Sequence, residues 1–122
     1  MSLNSFDVQA IGPFRREAKP LVKKYVSLKA ELYELNELNE LNELLAKNPT
    51  TGVSLGRNCY KIRLKIVSKG KGRSGGGRVI TCVVAVADTV YLLSIYDKSE
   101  QDSISDARLT ALLEMVPAVK AE

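Results

Sequence analysis

The chain has 122 residues, of which 45% are hydrophobic and 26% are charged. These values are typical of one globular domain with a modest core, so we interpret residues 1–122 as a single domain. The sequence contains no histidine and only two cysteines. It therefore excludes Ser-His-Asp and Cys-His catalysis, histidine-ligated metal sites and a cysteine-only zinc site, and we expect no cofactor. An enzyme of this composition takes its acid and base from Lys, Tyr, Asp or Glu.

No run of about 18 apolar residues is present, and the N-terminus lacks the apolar core of a secretory signal. We therefore expect a cytoplasmic protein without a membrane span. Cys59 and Cys82 each lie in an apolar, strand-like run, and we expect both to be reduced, buried thiols.

The first 25 residues predict a strand followed by a helix. The stretch "SFDVQAIGPF" alternates apolar and polar residues and ends at Gly12-Pro13, which indicates a short strand. From Phe14 to Tyr25 the apolar residues recur at helical spacing. Pro20 lies inside this pattern, so it either kinks the helix or marks where the helix begins.

A second helix is predicted from an N-cap at Ser27 to the Asn48-Pro49 stop. It contains the repeat "ELNELNELN", whose leucines recur at every third position and therefore drift around a helix. The helix is then wrapped on several sides, or this end contacts another protein, or the repeat is merely tolerated.

The remainder of the chain predicts a loop, three strands and a helix. "PTTGVSLG" reads as a loop, and strands follow at residues 59–67, 78–87 and 89–98, with a tight turn at Asp88. Ser105 is the predicted N-cap of a last helix that stops at Pro117. The order βααβββα indicates an α+β fold: a small, mostly antiparallel sheet of about four strands, packed by an N-terminal helical hairpin and a C-terminal helix.

The basic residues are concentrated in the middle of the chain. No acidic residue lies between Glu43 and Asp88. Nine basic residues lie there: Lys47, Arg57, Lys61, Arg63, Lys65, Lys69, Lys71, Arg73 and Arg78. This uncompensated charge indicates a surface that faces a polyanion.

Strand alternation places Lys61, Arg63 and Lys65 on one face of the sheet, about 6.5–7 Å apart. That spacing roughly matches the phosphates of a nucleic acid strand. An ordinary solvated strand face explains a single lysine, but it explains three basic residues and Arg78 on the next strand less well.

The stretch from Gly70 to Gly75 spells G-x-G-x-x-G. A dinucleotide loop needs a helix after it, whereas a strand is predicted here, and Gly75-Gly76 does not fit a Walker A loop. We interpret the stretch as a hairpin connection that approaches phosphates closely. The predicted RNA contacts are Arg57, Lys69, Lys71 and Arg73.

The sequences "CYKIRLKI", "GGRVI" and "VYLLSIYDKSE" resemble the RelE/ParE superfamily of bacterial toxins, with RelE- and HigB-like members, over nearly the whole chain. The resemblance implies an mRNA endonuclease that cuts messages in the ribosomal A site, inhibits translation and is silenced by a bound antitoxin. Lys61 and Arg63 match basic active-site residues of the family, Arg78 its phosphate-stabilising arginine, and Lys98 a further basic residue.

The sequence departs from the family at two positions. A position often assigned as a lysine base is Arg63, and arginine is not deprotonated in proteins. The C-terminal tyrosine of the family maps onto Ile104, and Tyr96 or Tyr91 is the substitute that we consider.

Metal-independent RNA cleavage needs a base for the 2′-hydroxyl, an acid for the leaving oxygen, and cations for the developing charge. The candidate bases are Lys61 and Lys65, because neighbouring positive charges favour a neutral lysine. Arg63 and Arg78 are the candidate charge stabilisers, and Lys98 or Tyr96 is the acid or positioning group. The alternatives are a ParE-like toxin that targets gyrase by protein contact, or a non-catalytic RNA-binding module.

Overall fold

The structure is a computed structural model that describes residues 5–28, 37–66 and 76–117. The helices are α1 (Gly12–Lys24), α2 (Glu37–Lys47) and α3 (Asp106–Leu113). The strands are β1 (Asp7–Ala10), β2 (Val53–Gly56), β3 (Cys59–Leu64), β4 (Gly77–Val84) and β5 (Thr89–Asp97). Within these residues no helix is long and apolar enough to cross a membrane.

The strands form one sheet in the order β1-β5-β4-β3-β2. β1 runs parallel to β5, and every other neighbouring pair is antiparallel. β4 is the central strand and has buried apolar residues on both faces of the sheet. The predicted α+β class with a mostly antiparallel sheet is confirmed.

The predicted strand count was one too low, because β2 lies in the stretch interpreted as a loop. β2 is a short edge strand that pairs with β3 through a two-residue turn. Arg57 and Asn58 in this turn both have positive φ, as a type I′ hairpin turn requires. An edge strand with one solvated side carries little apolar pattern, so the composition of the stretch concealed it.

Helix α1 begins at Gly12, with Pro13 in its first turn, so the alternative start at Pro20 is wrong. Pro20 lies inside the helix, where its missing N–H removes one backbone hydrogen bond. α2 ends at Lys47, as predicted. Its predicted start at Ser27 adjoins residues 29–36, which lie outside the described residues.

The two N-terminal helices pack on one face of the sheet. Phe14 and Leu21 of α1 and Leu41 and Leu45 of α2 are buried there. Leu44 is 42% exposed, which agrees with the predicted drift of the leucines around the helix. The acidic α2 therefore lies on the face opposite to the one on which α3 packs.

Helix α3 packs on the second face, over Cys59, Cys82 and Leu93. Ser105 is its N-cap, since its hydroxyl accepts a hydrogen bond from the Arg108 amide at 3.1 Å. Both cysteines are reduced, buried thiols, as expected, and are opposite each other across β3 and β4. β4 ends at Val84 rather than at 87, and Asp88 follows a short 3-10 turn with a positive φ.

Candidate nucleic-acid interface

Three strands bring three predicted site residues into one row. Arg63 of β3 is opposite Arg78 of β4, and Arg78 is opposite Tyr96 of β5. Neighbouring strands are about 4.8 Å apart, and directly opposed residues point to the same face. The side chains of Arg63, Arg78 and Tyr96 therefore leave neighbouring strands next to one another on the same face of the sheet.

A register shift in β5 places Tyr96 in this row. Thr81 is opposite Leu92, whereas Ile80 is opposite Ser94, so Leu93 is an extra residue. Without this bulge Arg78 would be opposite Ile95, and Tyr96 would point to the other face.

The predicted alternation of β3 continues beyond the strand. Ile62, Leu64 and Ile66 are buried in the core against the N-terminal helices. Lys61 is half-buried, and Arg63 and Lys65 are exposed. Together with Arg78 and Lys98, these three basic residues form what we call the cationic face: Lys61, Arg63, Lys65, Arg78 and Lys98.

Lys98 follows β5 directly. Its backbone N–H donates to the Gly76 carbonyl at 3.0 Å, next to the start of β4. Its ammonium group forms an ion pair with Asp102, four residues further on.

Asp102 is a residue of the site that the sequence did not indicate. The hydrogen bond and charge of Lys98 lower the pKa of the Asp102 carboxyl, and the positive charges of Lys61 and Arg78 lower it further. A carboxylate therefore lies among the cations of three segments that are distant in the sequence. Its spacing of four residues from Lys98 is the only sequence signal, and that signal is common.

Arg78 and Tyr96 are the buried members of the row, at 4% and 6% exposure. The Arg78 guanidinium donates to the Gly77 carbonyl at 2.9 Å. The Tyr96 hydroxyl is buried and has no hydrogen-bond partner among the described residues. Burial raises the pKa of Tyr96, while the positive charge of Arg78 opposes this shift. At neutral pH Tyr96 is therefore a protonated phenol that can donate a hydrogen bond.

The predicted RNA contact Arg57 lies apart from the cationic face. It is in the turn between β2 and β3, where it donates to the Thr110 hydroxyl at 2.7 Å and lies 3.7 Å from the Asp106 carboxylate. This arginine holds the start of α3 against the sheet, so we remove it from the candidate interface. Lys69, Lys71 and Arg73 lie outside the described residues.

Neither Tyr91 nor Ile104, the residue at the position of the family's C-terminal tyrosine, is part of the row. Tyr91 is opposite Cys82, toward the α3 end of the sheet, and Ile104 packs against the core beneath α3.

The element that follows the G-x-G-x-x-G stretch is β4, which pairs antiparallel with β3. The stretch therefore joins two strands, as predicted, and is not followed by a helix.

This arrangement suits a charged, phosphate-containing chain. The five cations of the cationic face and the phenol of Tyr96 provide hydrogen-bond donors for phosphate oxygens and for developing negative charge. Lysine and carboxylate groups beside them supply proton donors and acceptors.

Comparison with known proteins identifies the fold. No family model and no curated protein matches the chain. Among solved structures, a double arginine-to-alanine variant of the E. coli toxin RelE in the free state has a TM-score of 0.56 and 16% identity, covering 92% of this chain and 98% of that chain. The isolated E. coli RelE toxin has a TM-score of 0.49 and 18% identity, covering 92% of this chain and 100% of that chain. The chain therefore has a RelE-like fold, as its sequence resemblance predicts.

Proposed function

We propose that this chain is the toxin of a toxin–antitoxin pair and a metal-independent endonuclease that cleaves mRNA on the ribosome. The observation that carries the proposal is the cross-strand row of Arg63, Arg78 and Tyr96 beside Lys61 and Lys98, on a RelE-like fold. The likeness in fold supports the proposed class, and the cationic face supports the proposed chemistry. A cytoplasmic location and a cognate antitoxin belong to the same proposal.

In the proposed reaction the 2′-hydroxyl of one nucleotide attacks the adjacent phosphorus, and the 5′-oxygen of the next nucleotide leaves. Lys61 or Lys65 accepts the hydroxyl proton, and Lys98 donates a proton to the leaving oxygen. Arg63 and Arg78 stabilise the charge that develops on the phosphate oxygens. Tyr96 keeps its proton because its pKa is raised, so it positions the phosphate by donating a hydrogen bond.

The antitoxin that fits this surface carries acidic side chains, because its segment lies over the cationic face and competes with RNA. Acidic groups complement the exposed Arg63 and Lys65 and exclude a phosphate from the same position.

Primer extension on a message translated in a purified system tests the proposal. The expected result is new 5′ ends within the translated region, produced with EDTA-treated toxin and absent when translation does not start. Intact message together with inhibited DNA supercoiling would instead assign the chain to gyrase-targeting toxins. Intact message with RNA binding alone would assign it to non-catalytic RNA-binding modules.

Asp102 competes with the RNA phosphate for the cationic face. Replacing Asp102 by Asn removes a negative charge beside Lys98, so we expect binding of a short single-stranded RNA to tighten about two- to fivefold, the size typical of exposed charge pairs. Fluorescence anisotropy with a labelled, 2′-deoxy-substituted oligonucleotide measures this change.

The matched control is Asp106→Asn, which removes the same charge at the start of α3, where its partner is Arg57. An equal gain in affinity from both variants would show that only net charge matters and would remove Asp102 from the site.

A further inference from the structure

A buried carboxylate, unlike the exposed Asp102, lies immediately beside the row. Asp97 is 1% exposed at the end of β5. One of its carboxylate oxygens accepts a hydrogen bond from the Tyr25 hydroxyl at 2.7 Å. The other accepts from the Ser99 backbone N–H at 2.9 Å and from the Ser99 hydroxyl at 2.7 Å.

The backbone of Asp97 is also bonded in this turn. Its carbonyl accepts hydrogen bonds from the amides of Glu100 and Gln101 at 3.0 and 3.1 Å. The segment from Asp97 to Gln101 is thus a compact turn built around one residue. Lys98 lies within this turn, Asp102 follows it directly, and the two side chains form an ion pair.

Strand alternation explains why this carboxylate does not join the cationic face. Successive residues of β5 point to opposite faces of the sheet. Tyr96 points to the same face as Arg63 and Arg78. Asp97 points to the other face, on which α1 and α2 pack, and there it contacts Tyr25 at the C-terminus of α1. Asp97 therefore links α1 to its chain neighbours Tyr96 and Lys98, which belong to the candidate site.

We propose that Asp97, held by Tyr25, is a positioning residue that fixes the turn carrying Lys98 and Asp102 against Arg78. It touches no substrate. It acts by holding the ammonium group of Lys98 at one place in the proposed site, since a lysine on an unanchored turn samples many positions. Its importance for RNA cleavage rests on the proposed function, whereas its effect on Lys98 and Asp102 does not.

The experiment measures the pKa of Asp102 in the absence of RNA. Carboxyl 13C NMR of the full chain, titrated with acid, reports the pKa of Asp102 in the parent protein and in Tyr25→Phe. This substitution removes the hydroxyl that donates to Asp97 and keeps the aromatic ring. We expect the lowered pKa of Asp102 to return toward the ordinary aspartate range, because Lys98 and Arg78 are then less closely placed around it. Asp97→Asn is the second variant, and we expect the same direction of change.

Tyr60→Phe is the matched control, since Tyr60 is half-buried on β3 and points away from Lys61. Circular dichroism establishes that each variant is folded. An Asp102 titration that is unchanged in both folded variants would overturn the proposal. A shift confined to Tyr25→Phe and Asp97→Asn supports the positioning role, even if the parent protein cleaves no RNA. In that case it is the proposed function that fails.

When the parent protein cleaves, the same variants have a second readout. We expect the cleavage rate at saturating RNA to fall about tenfold while the affinity for RNA changes less than threefold, because both variants keep every charge of the cationic face and lose only its placement. Equal losses in rate and affinity would indicate general loosening of the fold and would contradict a positioning role.

Discussion

Replacing Arg78 by methionine is expected to lower the rate of RNA cleavage about 100- to 1,000-fold, the usual loss when one donor to a developing oxyanion is removed. Arg78 is the central member of the row, between Arg63 on one strand and Tyr96 on the other. Arg78 is 4% exposed, so its position is fixed and little solvent screens its charge. Methionine keeps most of the side-chain volume in this buried place and removes the charge.

Single-turnover cleavage on programmed ribosomes measures the effect, and thermal unfolding confirms that the variant is folded. Arg16→Met is the matched control, because Arg16 is exposed on α1 and α1 packs on the other face of the sheet. Arg78→Met with a rate within threefold of the parent would remove Arg78 from the catalytic assignment. A similar loss in Arg16→Met would show that cleavage responds to overall charge.

Replacing Tyr96 by phenylalanine is expected to stabilise the fold and to slow cleavage. The Tyr96 hydroxyl is buried without a partner among the described residues, and an unsatisfied buried hydroxyl costs about 1–3 kcal/mol. We therefore expect the free energy of unfolding to rise by about 1 kcal/mol in urea titrations. In the proposed reaction the same variant also lacks the hydrogen bond to the phosphate, so we expect cleavage to fall about tenfold or more.

The alkaline pH dependence of stability provides an independent check on Tyr96. Burial raises its pKa in the folded state, so its contribution is complete below the unfolded value of about 10. That contribution is lost as the pH rises through the folded pKa, because the unfolded chain ionises first. Tyr96→Phe should lose less stability above pH 10 than the parent.

Tyr60→Phe again serves as the control for loss of a phenol. A Tyr96→Phe variant that is less stable than the parent would contradict an unpartnered hydroxyl. One that cleaves at the parental rate would contradict its role in positioning the phosphate.

The sequence predicted that Lys61 and Arg63 lie on one face of the sheet, because that placement depends only on strand alternation. Lys61 and Arg63 share a face in any β-strand, and the buried Ile62 and Leu64 between and after them determine which face is solvated. The cross-strand partners were not predictable in the same way. The pairing of Arg78 with Tyr96 depends on the bulge near Leu93, and a bulge has no reliable pattern in a run of apolar residues.

The distribution of charges along the sequence was a poorer guide to the members of the site than the strand register of the folded sheet. It placed Arg57 with the other basic residues, whereas the hairpin turn at Arg57 directs that side chain to Asp106 and Thr110 at the opposite end of β3. It also missed Asp102, since the segment between Glu43 and Asp88 looked uncompensated. The turn around Asp97 brings that carboxylate back to Lys98, and such a return is a property of the folded chain alone.

The salt dependence of RNA binding tests most directly whether the cationic face is the surface on which RNA lies. Each phosphate contact contributes about 0.7 to the slope of log affinity against log salt for a single strand. Lys61→Met with Arg63→Met should therefore lower the magnitude of that slope by about 1.4. Lys19→Met with Lys23→Met removes the same charge from exposed positions of α1 and should leave the slope almost unchanged. Equal slopes in the two double variants would contradict the account, because RNA would then be responding to net charge and not to this face of the sheet.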